Sequence, residues 1–241
     1  MAEFDRSTIA ARAGTAAVMD EGLRSYMLRV YNYMGIGLAV TGFVAYFFNR
    51  WLETTPGMME AFYTSPLMWV VALSPLAFVL VLSFGIQKMS VGAAQLTFWA
   101  FAMVMGLSLS SIFAVYTDAS IAKVFFITAA TFGAMSLWGY TTKRDLTGMG
   151  SFLFMGLIGL IIAMVVNIFL ASSMLEFAIS AIGVLIFVGL TAYDTQKIKE
   201  SYSENHGADA LAKGAIMGAL RLYLDFINLF MMLLRLFGNR E

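Results

Sequence analysis

The stretch KGAIMGALRLYLDFINLFMMLLRLFG, residues 213–238, decides how this chain folds. About 20 apolar residues cross the ~30 Å hydrocarbon core of a bilayer as a helix. The segment is long enough, yet it carries Lys213, Arg221, Asp225 and Arg235. Gly214, Gly218, Arg221, Asp225, Asn228, Met232 and Arg235 recur at spacings of three and four, so they share one helix face. The other positions are largely Leu, Ile and Phe. A charge at the bilayer centre costs ~3 kcal/mol on insertion scales. The stripe therefore has to face protein or water, which predicts a helix in the middle of a bundle.

Upstream, charges punctuate the chain into six further apolar segments. They predict spans at 30–48, 66–85, 92–115, 121–140, 150–171 and 175–197, before a seventh at 211–236. Pro75 inside the second predicts a kink. Composition agrees: 60% of residues are hydrophobic, 12% charged, and the mean hydropathy is +0.80. Soluble domains carry about 25% charged residues. The fold class is thus an all-α integral membrane protein of seven transmembrane helices. Residues 1–28 hold Asp5, Arg6, Arg12, Asp20, Glu21 and Arg24 with no apolar core. They predict a polar cytoplasmic arm and no cleavable signal peptide. Residues 29–238 form one transmembrane domain.

Several function classes drop out. There is no Cys, hence no disulfide, haem thiolate or cysteine nucleophile. The single His206 does not supply the several ligands of a zinc or haem site. No tightly bound cofactor is expected. A net charge of zero removes any general attraction to nucleic acid, so the expected surroundings are membrane lipids.

Basic residues set orientation. With the N-terminus inside, the inner regions hold Arg6, Arg12, Arg24, Arg29, Lys88, Lys143, Arg144, Lys197, Lys199 and Lys213. The outer regions hold Arg50, Lys123, Arg235 and Arg240. Seven spans then put the C-terminus outside. Six spans with a re-entrant last segment would leave both ends inside.

Asp225 lies ten residues before Arg235, ~15 Å along a helix, which predicts a mid-membrane acid if Arg235 reaches the outer interface. Arg221 is placed to pair with it at i,i+4, and Asn228 to hydrogen-bond one turn further out. Asp194, near the inner end of the sixth span, is the second acid. Two carboxyls converging at low dielectric share a proton more easily than they hold two charges. Ionised, they offer the hard oxygen ligands that calcium prefers. The plainer readings are a structural Arg221–Asp225 ion pair, a hydrated interfacial Asp194, and an interhelical hydrogen bond from Asn167.

Three segments carry a resemblance. LYLDFINLFMMLLRLFG (222–238), TAYDTQKIK (191–199) and TTKRDLTGMGSFLFMGL (141–157) resemble, in order, signatures of the Bax inhibitor-1 (TMBIM) family and its bacterial branch. The resemblance covers roughly residues 24–238. It implies six helices surrounding a central C-terminal helix, and a pH-sensitive calcium leak in the cytoplasmic membrane. Protonation of paired aspartates, here Asp194 and Asp225, would gate it and calcium would bind there transiently. Some members add a basic residue on the second helix. In this chain WVVALSPLAFVLVLSFGIQKMS (69–90) has none before Lys88, which leaves Arg221 as the counter-charge. The alternative is a non-transporting regulator that binds a membrane quality-control protease. An intramembrane aspartyl protease is disfavoured. Tyr193–Asp194 is similar to its first element, but Leu222, Tyr223 and Leu224 stand before Asp225 where G-x-G-D is required.

Overall fold

The computed structural model describes the backbone of residues 2–203 and 206–240, and side chains in that range from residue 21 onward. Eight α-helices follow one another: α1 (Ala2–Thr54), α2 (Met58–Thr64), α3 (Leu67–Gly85), α4 (Val91–Leu109), α5 (Asp118–Thr141), α6 (Thr147–Leu170), α7 (Ser173–Glu200) and α8 (Ala208–Phe237). All but α2 are long and apolar enough to span a membrane. No sheet occurs among the described residues, only an isolated bridge between Tyr116 and Arg240.

The first span departs from the sequence reading at both ends. The first span continues six residues past 48, to Thr54. Asn49 Nδ2 donates to Glu53 Oε1 at 2.7 Å and Arg50 pairs with Glu53 at 3.0 Å, so polar i,i+4 and i,i+3 contacts carry the helix on. Charge marked where hydrocarbon ends, not where the helix ends. At the other end the helix is continuous with the arm, and Tyr26 and Met27, grouped with that arm above, are buried in the core.

Helix ends follow their local chemistry. Ser90, Thr117 and Ser172 accept from backbone N–H groups three residues on and start α4, α5 and α7. α3 runs through Pro75, whose missing N–H would have bonded Val71 O. The Ser74 hydroxyl donates to that carbonyl at 2.8 Å. Asn167 bonds across no helix interface. Its Oδ1 accepts from Ser172 N at 3.0 Å, bracing the α6–α7 turn where Ala171 has φ 47°.

The seven long helices alternate in direction. One end of the bundle gathers Tyr26 tilted against Tyr202, Lys213 donating to Gln87 O, and Lys199 donating to Tyr140 O. Lys143, Arg144 and Lys197 lie at this basic end. The opposite end gathers the Arg50–Asp118 and Arg240–Glu176 ion pairs, with Thr117 N donating to Asn239 O. The C-terminal residues therefore sit at the end opposite the α5–α6 loop. α8 crosses the full bundle and is not re-entrant.

α8 packs on α7, α1 and α5, then on α4 and slightly on α3, while α6 packs on α7. Helices close up where side chains vanish. A Cβ on Gly106 of α4 would strike the Thr41 carbonyl and Val44 of α1, and one on Gly139 of α5 would strike the Ala192 backbone of α7. Leu222, Tyr223, Phe226, Leu229, Phe230 and Leu233 of α8 fill the resulting core.

Candidate functional site

Between α3, α6, α7 and α8 lies a groove of about 910 Å³. α6 forms one wall and α8 the other. α7 forms the floor and Leu76 of α3 the far rim. All four residues singled out from the sequence, Asp194, Arg221, Asp225 and Asn228, line it. From Arg221 onward the polar stripe of α8 thus faces this groove, and the apolar remainder of that stretch faces the core. Leu222 and Leu229 are 0% exposed, on the side away from it.

Asp194 and Asp225 come from different helices and both line this groove, close enough to act on one another through their charge. Asp225 is buried, 5% exposed, and its Oδ2 has no hydrogen-bond partner among the described residues. Asp194 is half-buried. It stands six residues before the end of α7, ~9 Å along the helix, so the pair lies toward the basic end of the groove.

The expected Arg221–Asp225 ion pair does not form. No Lys or Arg nitrogen lies within 4.0 Å of either carboxyl among the described residues. Arg221 is exposed on the groove wall, close enough to act on both acids through its charge. It also lines a smaller cavity of about 340 Å³ beside Ser83, Gln87 and Lys213, and so stands between the groove and the basic end. Asn228 bonds its own helix, Nδ2 donating to Leu224 O at 2.8 Å. From α3 the groove receives Leu76, an apolar residue.

Both acid-bearing helices are locked in rotation. On α8, the Tyr223 hydroxyl is 2.6 Å from Thr41 Oγ1, which donates to Ala102 O at 2.8 Å. Thr41 has one proton and spends it on the carbonyl, so Tyr223 donates. On α7, Thr195 donates to Thr191 O at 2.7 Å, so Ser136 donates to Thr195 at 3.0 Å and Tyr31 to Ser136 at 2.6 Å. Gln196 fastens the α5–α6 loop, accepting from Leu146 N at 2.9 Å and donating to Arg144 O at 2.8 Å. These contacts hold Asp194 and Asp225 toward one another without touching either.

Sequence reasoning missed the α6 side of the site. Gly150 lies against the Tyr193 ring, with no room for a Cβ, and this brings α6 onto α7 beside Asp194. The signal was the small-residue run Gly148, Gly150, Gly156. In the loop, the Asp145 carboxyl is held below its usual range by hydrogen bonds from the Thr147 side chain and backbone N–H. Of the polar loop after α7, residues 204–205 lie outside the described residues, and His206 N donates to Ser203 O at 3.0 Å in a turn.

Fold and site together define a multi-pass membrane protein with a carboxyl pair facing a groove in its helical bundle. The chain belongs to the Bax inhibitor-1 family: the family described as "Inhibitor of apoptosis-promoting Bax1" matches residues 23–241. It is 51% identical over 223 residues to the inner membrane protein YbhL of Escherichia coli (strain K12), covering 91% of this chain and 94% of that one. An uncharacterized protein of Rickettsia prowazekii (strain Madrid E) is 48% identical over 92% of each chain. One of Caulobacter vibrioides is 45% identical over 99% of this chain and 97% of its own. The chain is a multi-pass protein of the inner (cytoplasmic) membrane. No cluster of three His, Cys, Asp or Glu able to hold a metal occurs among the described residues.

Proposed function

We propose that this protein is a pH-sensitive, calcium-permeable leak of the cytoplasmic membrane, gated by the protonation of Asp194 and Asp225. The observation that carries the reading is the buried Asp225 Oδ2, without a partner among the described residues, on a carboxyl that shares the groove with Asp194 and has no Lys or Arg nitrogen within 4.0 Å among them. Such a pair is satisfied in two ways. A proton shared between the carboxyls lets one donate to the other and closes the site. With the proton gone, two carboxylates attract a divalent ion, whose remaining oxygen ligands come from water and backbone carbonyls. Two side-chain ligands make a transient stop, which suits an ion that must also leave. Arg221 supplies the counter-charge that α3 lacks. In this reading α6 completes a ring of six helices around α8, facing it across the groove. Residues 1–28 are cytoplasmic, with Lys143 and Lys199.

The test is calcium flux against pH in proteoliposomes at matched protein incorporation. Asp225→Asn is expected to flatten the pH dependence and weaken calcium binding. Asp194→Asn should do the same, and the double variant should lose less than the sum of the two. Arg221→Gln should displace the midpoint at unchanged folded yield. Unchanged pH profiles in both single variants would sink the two-acid gate. Absence of flux, with a membrane protease captured in a stable complex, would favour the non-transporting regulator. Single cysteines at 143 and 241, labelled from one side only, test the orientation. Labelling of both from the same side overturns it.

A further inference from the structure

The groove extends beyond the two acids. Toward the C-terminal end its walls are Leu157, Ile161 and Met164 of α6 and Met231 and Met232 of α8, and it ends at Arg235. Arg235 stands ~15 Å from Asp225 along α8. Its side chain is exposed, and no carboxylate lies within 4.0 Å of it among the described residues. α3 and α6 flank the groove without an appreciable interface between them, so it opens sideways, where acyl chains lie. Ile161 is 48% exposed and Leu76 59%, both on that open side.

A guanidinium at the membrane boundary, with an apolar trough running from it into the membrane, matches a molecule with an anionic head and a hydrocarbon tail. Arginine forms paired hydrogen bonds to phosphate, and among the described residues no carboxylate competes for this one. We propose that an anionic phospholipid occupies this half of the groove. Its phosphate sits on Arg235 and one acyl chain lies between Ile161 and Met164 on α6 and Met231 and Met232 on α8. The site needs neither carboxyl, so it stands independently of what crosses the membrane.

The test is native mass spectrometry of the full chain, released from mixed micelles holding equal amounts of phosphatidylglycerol and phosphatidylcholine. The wild type should retain phosphatidylglycerol in preference. Arg235→Gln should lower that retention by roughly fivefold, the worth of one basic residue at a lipid surface. Lys123→Gln, at an exposed basic residue of the same end, should leave it unchanged. Ile161→Trp fills the trough and should reduce retention with Arg235 intact. Asp225→Asn should retain lipid as the wild type does, even if the leak proves absent. Arg235→Lys should restore part of the retention and shows that loss in the glutamine variant is not misfolding. Equal retention by the wild type and Arg235→Gln, or none lost in Ile161→Trp, overturns the proposal.

Discussion

α6 and α8 invert the rule learned from soluble proteins. α6 carries no charged residue from Thr147 to Leu170, yet only 6% of its most apolar stretch is buried. α8 carries Asp209, Lys213, Arg221, Asp225 and Arg235, yet 67% of its corresponding stretch is buried. In a bilayer apolar surface gains nothing by leaving lipid, so apolarity does not select burial. Charge does, because it is costly against hydrocarbon. The helix with something to hide takes the inner position, and the one without takes the outside. Phe152, Ile168 and Phe169 of α6 are 69%, 76% and 83% exposed, as lipid-facing side chains should be.

The sharpest test of that inversion is a pair of matched truncations, each cutting a four-carbon side chain down to a methyl group. Leu229→Ala on α8 should cost about 2–5 kcal/mol, the range for a buried leucine whose site cannot collapse. Ile168→Ala on α6 should stay within about 0.5 kcal/mol. Unfolding in mixed micelles with rising dodecyl sulfate measures both, and equal midpoints would break the contrast. Second, Ile158→Arg in the middle of α6 should lower its membrane insertion by about 3 kcal/mol. Free insertion, scored on α6 in a reporter chain, would mean that this face meets no lipid. Third, Tyr223→Phe removes a hydrogen bond from the core side of α8. Thr41 keeps its bond to Ala102 O, so the loss should be about 0.5–1.5 kcal/mol in the same titration.

The smallest effect lies at the start of α6, outside the membrane. The Asp145 carboxyl is held below its usual range, so it stabilises the fold above the ordinary aspartate range and loses that contribution as pH falls through its lowered value. Asp145→Asn should therefore melt slightly below the wild type at neutral pH, with the gap closing in acid. A gap that persists in acid would assign the effect to shape, not charge.

The spans were legible because charges interrupt apolar runs, and the groove-facing stripe of α8 because 3.6-residue spacing projects Arg221, Asp225 and Asn228 to one side. The meeting of Asp194 with Asp225 rested on resemblance, since no spacing relates residues on separate helices. The open Arg221–Asp225 pair was illegible for another reason. An i,i+4 interval makes contact available without enforcing it, and here Asp225 turns toward Asp194. α2 and the extension of α1 to Thr54 were hidden because helices outlast hydrocarbon. Nor did composition mark α6 as the outlier of the bundle, since uniform apolarity names no partner. That came from the close approaches of α6 to α7, Gly150 against Tyr193 and Gly189 against Leu153.

α8 emerges from the ribosome after the helices that pack around it. α1, α4, α5 and α7 must each enter the bilayer before their shared partner exists, and the small residues at Gly106 and Gly139 let those four dock pairwise in the meantime. α8, too polar to rest comfortably in lipid alone, is delivered into a place already built. Tyr116 and Arg240 then close the far end, with Asn239 N donating to Ser120 at 2.9 Å. The carboxyl pair is thus a late product of biogenesis: until synthesis of this chain reaches Asp225, Asp194 faces an empty seat, and no half-made bundle carries the assembled site.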